Sequence, residues 1–207
     1  IVRFITSGES DGMAFIALEY VEGGDLSSYL KRHGALPIET VRRWSAQIAQ
    51  ALGFAHQHGI IHRDVKPSNV MLRPSDDGES FDAVLMDFGI AKLRETHTRY
   101  TATGGAIGTI DYMAPEQITL ARDVDYRADL YALGVLTYEM LTGKPVFHGN
   151  PGFVVFAHLQ QPAPDPRDSR PDIPRDLAKT VLKALEKKPE DRFASADEMA
   201  AALLNQA

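Results

Sequence analysis

The sequence predicts an α+β protein that is mainly helical and begins with a small β-hairpin. Two apolar stretches, residues 1–5 and 13–21, flank the polar stretch 7–12, a pattern typical of two strands joined by a turn. Beyond residue 25, apolar residues recur at intervals of three and four, which is the period of a helix face. A cluster of polar residues within 60–69 indicates where a functional site lies.

Composition limits the classes of function. The 207 residues include 44% hydrophobic and 24% charged residues, which suits one soluble globular domain or a domain with a piece absent. A net charge of -6 argues against a nucleic-acid surface. Zero cysteines exclude disulfides, thiol catalysis and cysteine-ligated zinc. With no membrane-spanning run and no signal peptide, we expect a cytoplasmic segment that makes no membrane contact, either of a soluble protein or of a membrane-anchored parent.

The first helices are predicted from their caps and their apolar spacing. Asp25 can cap a helix that runs to about His33, and Gly34 ends it. Pro37 opens the next helix. Its apolar positions fall on one face: Val41, Trp44, Ile48, Leu52 and Ala55.

The rest of the chain is predicted in the same way. Residues 70–72 and 84–86 form a second hairpin, and 90–113, without periodicity, form a long functional loop. Residues 129–141 are apolar on nearly every side, as in a buried helix that Gly143 stops. Further helices are expected around 151–160, 174–187 and 195–204, the last capped by Ser195, with the proline-rich stretch 162–174 as a connector.

Four polar residues have the chemistry that phosphoryl transfer requires. Asp64 can accept or orient a hydroxyl proton, and Lys66 can neutralise charge on the moving phosphoryl group. Asn69 and Asp87 carry hard oxygen atoms, which Mg²⁺ prefers together with phosphate oxygens. We therefore predict Asp64, Lys66 and Asn69 as catalytic residues and Asn69 and Asp87 as metal ligands.

Three ordered motifs carry a resemblance to a known family. His62-Arg63-Asp64, Asp87-Phe88-Gly89 and Ala114-Pro115-Glu116 follow one another as in a eukaryotic-like, Hanks-type Ser/Thr protein kinase. The longer stretch Tyr112-Met113-Ala114-Pro115-Glu116-Gln117, with a compact C-lobe, resembles bacterial members. The resemblance implies a protein-kinase-like fold. Residues 1–22 would be remnant strands of the N-lobe and the hinge, and 23–207 the helical C-lobe, with a catalytic loop at 60–69 and an activation segment at 87–116.

The resemblance also implies ATP and Mg²⁺ as cofactors and protein substrates with Ser or Thr acceptors. Lys66, two residues after Asp64, resembles the Ser/Thr-specific members. The nucleotide-binding residues carried over are Leu18 as gatekeeper, Glu19 and Val21 as backbone partners of adenine, Asp25 near the ribose, Met71 under the adenine ring, and Asp87.

Regulatory and scaffold roles carry over to further positions. A phosphate on Thr101 or Thr103 would pair with Arg63 and Lys92, and we predict autophosphorylation at these threonines. Thr109 matches a residue that contacts the catalytic aspartate. The scaffold residues are the ion pair Glu116–Arg192, Asp129 beneath the catalytic loop, and the packing residues His62 and Phe88.

The chain departs from the family pattern at its start. It carries no glycine-rich loop, no strand lysine of the V-A-I-K type and no helix glutamate to pair with it. Either the sequence is a fragment of a longer reading frame or the protein is a natural truncation, and we favour the fragment. By itself this chain is expected to bind ATP weakly and to turn over slowly. A dimer, where one forms, would use the absent part of the N-lobe.

Two other classes of function share part of this pattern. A kinase-like lobe acting as a scaffold or binding module would be expected to lose Asp64, Asn69 or Asp87, and all three are present. A small-molecule phosphotransferase of the aminoglycoside type also pairs an aspartate with an asparagine, but Lys66 and the Ala114-Pro115-Glu116 segment disfavour it.

Overall fold

The computed structural model describes residues 1–78, 80–88, 110–119 and 124–205. Two antiparallel hairpins are present in this part of the chain. Strands β1 (Phe4–Ser10) and β2 (Met13–Leu18) form the first, and β3 (Val70–Pro74) and β4 (Phe81–Leu85) form the second. No helix among the described residues is both long enough and apolar enough to cross a bilayer.

The described residues also form eight α-helices, which make up most of the fold. Their bounds are α1 Leu26–His33, α2 Ile38–Gln57, α3 Pro115–Ile118, α4 Arg127–Thr142, α5 Pro151–Gln160, α6 Pro166–Ser169, α7 Arg175–Ala184 and α8 Ala196–Leu204. The α+β class and the mainly helical character predicted from the sequence are therefore confirmed.

The core lies around α4. Thirteen of its sixteen residues are buried, and α2 and α7 pack against it. Gly134 permits the closest approach, because a Cβ built there would lie 2.8 Å from the Cβ of Ala184 in α7. Trp44 in α2 and Tyr131 in α4 are the largest fully buried side chains. The helical lobe thus has one continuous core, into which the second hairpin also packs.

The helix caps form as the sequence predicts. The Asp25 side chain accepts from Ser28 N at the start of α1, and Gly34 ends that helix with φ at 66°. Ser195 caps α8 by accepting from Glu198 N. Gly143 follows α4 in the left-handed conformation, with φ at 71°. The apolar stripe predicted for α2 is buried along its whole length.

The first hairpin differs from the prediction. The polar stretch 7–12 is not a long turn, because β1 continues to Ser10, which pairs with Met13. Only Asp11 and Gly12 form the turn, with φ of 53° and 75°. Asp-Gly is a favoured pair for a type I′ turn, whose twist matches that of the strands. The polar residues 7, 9 and 10 fit a strand here because both faces of β1 are exposed.

Two predictions near the C-terminus are also corrected. The helix expected over 174–187 ends at Ala184. Leu185 is its C-cap, with φ and ψ of -89° and 7°. Pro189 favours extended backbone at Lys188, so no helix can pass beyond residue 187. The connector 162–174 contains α6, which begins at Pro166 after an Asp165 side chain that accepts from Arg167 N.

Candidate active site

The loop that carries the predicted catalytic residues is held from beneath by Asp129. This carboxylate is 1% exposed and accepts the backbone amides of His62 at 2.8 Å and Arg63 at 2.7 Å. His56 Nε2 lies 2.8 Å from the same carboxylate. Arg63 has φ at 64°, a conformation that is costly for a residue with a Cβ. The scaffold role predicted for Asp129 is confirmed, since its contacts hold the loop in this strained conformation.

Asp64, Lys66 and Asn69 come together at the end of this loop. Lys66 Nζ lies 2.9 Å from Asp64 Oδ2. Asn69 Nδ2 donates to the Asp64 carbonyl at 2.7 Å and lies 3.2 Å from its Oδ2. The short 3₁₀ turn Pro67–Asn69 brings the asparagine back toward the aspartate. Because Asn69 uses its amide nitrogen on Asp64, its amide oxygen is directed away and can serve as a ligand.

His62 joins this loop to the end of β4. Its Nε2 lies 2.9 Å from the Met86 carbonyl, and its Nδ1 lies 3.2 Å from the Asp64 amide. A neutral ring with the proton on Nε2 satisfies both contacts, because Nδ1 then accepts from Asp64 N. His62 is fully buried and lies 4.7 Å from the ring of Phe88. The packing roles predicted for His62 and Phe88 agree with these contacts.

Asp87 lies next to this junction. The Met86 amide donates to the Asn69 carbonyl at 2.9 Å, so the residue that precedes Asp87 is tied to the residue that contacts Asp64. Asp87 itself is exposed and has φ at 56°. Both acids therefore flank the same end of the β3–β4 hairpin.

The donor set suits Mg²⁺. Among the described residues no group of three or more His, Asp or Glu side chains could enclose a metal ion. Mg²⁺ is ordinarily held by one or two carboxylates together with phosphate oxygens and water, and does not need an all-protein cage. The exposed Asp87 carboxylate and the amide oxygen of Asn69 fit that requirement.

The segment after β2, which carries several of the predicted nucleotide-binding residues, pairs with β3 at Gly24 and Asp25. Leu18 ends β2 opposite Phe4, and Val21 is buried. Asp25 forms a backbone bridge with Met71. Residue 23 must be glycine where the chain passes close to β3, because a Cβ built there would lie 2.0 Å from the Leu72 carbonyl oxygen. The segment after β2 is thus seated against β3.

Asp25 has a local role that the resemblance did not indicate. Its carboxylate accepts from Ser28 N and from Ser28 Oγ, both at 2.8 Å. Partial burial disfavours the charged form, but these hydrogen bonds outweigh it and hold the pKa of Asp25 below its ordinary value. The side chain is a helix cap in this structure, so contact with a ribose would compete with the cap.

The ion pair predicted between Glu116 and Arg192 is confirmed. Arg192 Nη1 and Nη2 bind the two carboxylate oxygens at 2.7 and 2.9 Å. The Arg192 side chain is fully buried and also donates to the carbonyls of Glu186, Arg127 and Lys187. The pair fixes the start of α3 to the helical core.

Three hydrogen bonds of the 110–119 segment were not predicted from the sequence. Gln117 Nε2 donates to the Arg63 carbonyl at 3.0 Å, while its Oε1 accepts from the Ala114 amide at 3.1 Å. Tyr112 donates to Glu139 in α4. Burial raises the pKa of Glu139, and the nearby Asp111 charge adds to the effect. The only sequence signal for Gln117 was its position three residues into a helix that follows Ala114.

Several predictions fall on residues that the structure does not describe. Thr101, Thr103, Thr109 and Lys92 lie outside the described residues. Their roles in activation and in contacting Asp64 stay predictions.

Comparison with known proteins gives a consistent result. A family model described as "Protein kinase domain" matches residues 1–204. The chain is 44% identical over 196 residues to serine/threonine-protein kinase PknH of Mycobacterium bovis, covering 94% of this chain and 32% of that protein. It is 40% identical over 209 residues to PknB of Mycobacterium leprae, covering 99% of this chain and 33% of that protein.

A third relative agrees with the first two. The chain is 40% identical over 204 residues to serine/threonine-protein kinase PknD of Mycobacterium tuberculosis, covering 98% of this chain and 30% of that protein. The chain therefore spans about a third of the length of the curated relatives it matches.

Proposed function

This chain belongs to the protein kinase domain family, and from that premise we propose that the full-length protein transfers the γ-phosphoryl group of ATP to serine and threonine hydroxyls of protein substrates. The observation that carries the proposal is the contact of the Asp64 carboxylate with Lys66 at 2.9 Å and with Asn69 at 3.2 Å. These three side chains combine a proton acceptor, a cation and an amide within one loop.

Each residue has a distinct part in the proposed reaction. Asp64 orients the substrate hydroxyl and accepts its proton. Lys66, held against Asp64, neutralises negative charge that develops on the phosphoryl oxygens. Asn69 and Asp87 would hold Mg²⁺ through their oxygen atoms. When bound, Mg²⁺ screens the charge of the ATP phosphates and aligns them for transfer.

The other residue predictions belong to the same proposal. The backbone of Glu19 and Val21 would bind the adenine edge, with Leu18 as gatekeeper and Met71 under the ring. Asp25 would lie near the ribose. Residues 1–22 would act as N-lobe strands and hinge and residues 23–207 as the C-lobe, with the catalytic loop at 60–69 and the activation segment at 87–116. The compartment that supplies ATP would be the cytoplasm.

Substitution of Asp64 tests the proposal. With ATP and Mg²⁺, the full-length wild-type protein is expected to phosphorylate Ser and Thr, and not Tyr, in a generic protein substrate. Asp64→Asn keeps the size of the side chain but removes the proton acceptor, so phosphate transfer should fall by about 10²- to 10⁴-fold. Phosphoamino-acid analysis of the labelled substrate measures both outcomes.

A matched substitution serves as control. Asp172→Asn changes the same chemistry at a carboxylate that is 63% exposed and paired with Arg170, and it should leave the rate unchanged. Wild-type protein that labels no protein substrate, or an Asp64→Asn variant as active as the wild type, would refute the proposal. A small alcohol such as an aminoglycoside offered in parallel should not be labelled.

A further inference from the structure

Glu19 is connected to two separate parts of the molecule through one oxygen atom. Its Oε1 accepts from the backbone amide of Arg3 at 2.8 Å and from Arg73 Nη2 at 2.5 Å. The Glu19 amide in turn donates to the Arg3 carbonyl at 3.0 Å. The segment after β2 is therefore fixed at both backbone and side chain to the chain before β1, and by an ion pair to β3.

Arg73 occupies a specific place on β3. It lies two residues after Met71, and residues at this spacing on a strand project from the same face. Met71 bridges to Asp25, and the next residue, Leu72, donates its amide to the Gly24 carbonyl at 2.9 Å. The strand that carries the proposed floor of the adenine site thus also carries the cation that holds Glu19.

We propose that Arg73 is a positioning residue for the nucleotide: by holding the Glu19 side chain, it fixes the backbone of residues 19–21 at a set height above Met71. This inference rests on the proposed function, because it assigns residues 19–21 and Met71 to the adenine site. Arg73 itself does not touch the nucleotide. The ion pair restricts the backbone of residues 19–21 before the nucleotide binds, so less conformational entropy is lost when adenine binds.

The charge state of Glu19 is consistent with this role. The hydrogen bond from the Arg3 amide, followed by the charges of Arg73 and Arg3, holds the pKa of Glu19 below its ordinary value despite an opposing contribution from burial. The carboxylate is therefore ionised at neutral pH. The two side chains are 45% and 22% exposed, so the ion pair is partly screened by solvent and a moderate effect is expected.

The test measures nucleotide binding and the rate of phosphoryl transfer separately in the full-length protein. Arg73→Ala should raise KM for ATP by about two- to fivefold, the range of a solvent-exposed ion pair. The kcat value and KM for the peptide substrate should stay at wild-type values, because Arg73 acts through its ion pair with Glu19 and is assigned no part in phosphoryl transfer. Arg73→Lys keeps the charge and should show a smaller rise in KM.

Two readouts do not depend on phosphoryl transfer. The calorimetric Kd for adenosine, which has no phosphate, should rise by the same factor in Arg73→Ala. Without any nucleotide, the amides of residues 19–21 should exchange with deuterium faster in this variant than in the wild type. These measurements keep the inference testable even if the wild-type protein phosphorylates no substrate, a result that would refute the proposed function alone.

A control variant breaks a similar ion pair elsewhere. Lys183 and Glu198 lie 3.0 Å apart and are 43% and 46% exposed, and they join α7 to α8. Lys183→Ala should leave ATP and adenosine affinities unchanged. The inference is overturned if Arg73→Ala binds adenosine as tightly as the wild type, or if this variant lowers kcat alone. It is also overturned if Lys183→Ala has the same effect as Arg73→Ala, or if the wild type binds no adenosine.

Discussion

Asp129 is the residue on which the geometry of the proposed catalytic loop depends most directly. Its two oxygens accept two successive backbone amides and also contact His56, all at 2.7–2.8 Å. A buried carboxylate is costly unless its charge is compensated by donors, and here three donors surround it. The same three donors would be left unpaired by its removal, so loop and acid stabilise each other.

Asp129→Ala should therefore affect both stability and activity. Each buried donor left without an acceptor costs about 1–3 kcal/mol, so the variant should unfold at much lower urea concentration than the wild type. Arg63 would no longer be held at positive φ, and phosphate transfer should be lost. Equilibrium unfolding and the transfer assay measure the two effects.

A second variant, Asp129→Asn, tests whether the loss of stability comes from the missing acceptor oxygens. Asparagine keeps one acceptor oxygen, so it can satisfy one of the two backbone amides but presents an amide group to the other. Its loss of stability should be smaller than that of the alanine variant. An alanine variant with wild-type stability would show that the loop is held by other contacts.

At the scale of secondary-structure elements, the Glu116–Arg192 pair joins α3 to the turn after α7. Arg192 makes five hydrogen bonds from a fully buried side chain. Arg192→Ala removes the partner of a carboxylate that is only 11% exposed and should destabilise the protein by about 3–5 kcal/mol. Thermal or urea unfolding of the full-length protein measures this loss.

A double-mutant cycle shows whether the loss belongs to the pair. Glu116→Ala in the Arg192→Ala background leaves no buried charge unpaired, so the double variant should be more stable than the sum of the two single losses implies. Strict additivity would mean that Arg192 acts through its carbonyl contacts instead. An Arg192→Ala variant that melts at the wild-type temperature would exclude the pair as a stabilising contact.

Elements with local signals could be predicted from the sequence. Asp25 and Gly34 bound α1, and Ser195 caps α8, because each acts on backbone groups within a few residues. The turn at Asp11 and Gly12 was misjudged because polar residues suggested a loop, whereas an exposed ribbon places no apolar requirement on its strands. α6 was missed because four residues are too few to show a helical period.

In the proposed site, too, some contacts could be predicted from local sequence signals and others could not. Asp64, Lys66 and Asn69 lie within six positions, so their meeting follows from one loop. Gln117 reaches the Arg63 carbonyl from 54 residues away, and Tyr112 reaches Glu139 across 27. No local pattern encodes such contacts, because they arise only when the helical core sets the distance between elements. The same limit applies to the contact of Glu19 with Arg73.

At the scale of the whole molecule, stability resides in the helical lobe. The core cluster begins at Leu26 and contains no residue of β1 or β2. Large apolar side chains of that hairpin, including Phe4, Met13 and Ile16, are more than half exposed. An isolated two-stranded hairpin is marginally stable in water, so it depends on contacts made by the residues that flank it. Glu19 accepts from Arg3 N and from Arg73, and Val2 N donates to the Leu85 carbonyl.

The acid stability of this lobe should depend on His158. The side chain is fully buried in α5, where its Nδ1 lies 2.9 Å from the Tyr131 hydroxyl. Burial, with a further contribution from the Lys187 charge, lowers the pKa of His158 to about 4. Its ordinary value is 6.5, so between these two pH values the unfolded chain binds a proton that the folded protein does not.

The free energy of unfolding should therefore fall as pH drops from about 6.5 toward 4, by about 3 kcal/mol from this residue. His158→Asn removes the titrating ring, so the variant should be less stable than the wild type at pH 7 but lose less stability on acidification. Urea unfolding at several pH values gives the difference between the two curves, and the exposed His148→Asn variant should follow the wild type. Parallel curves for the wild type and His158→Asn would show that another group governs acid unfolding.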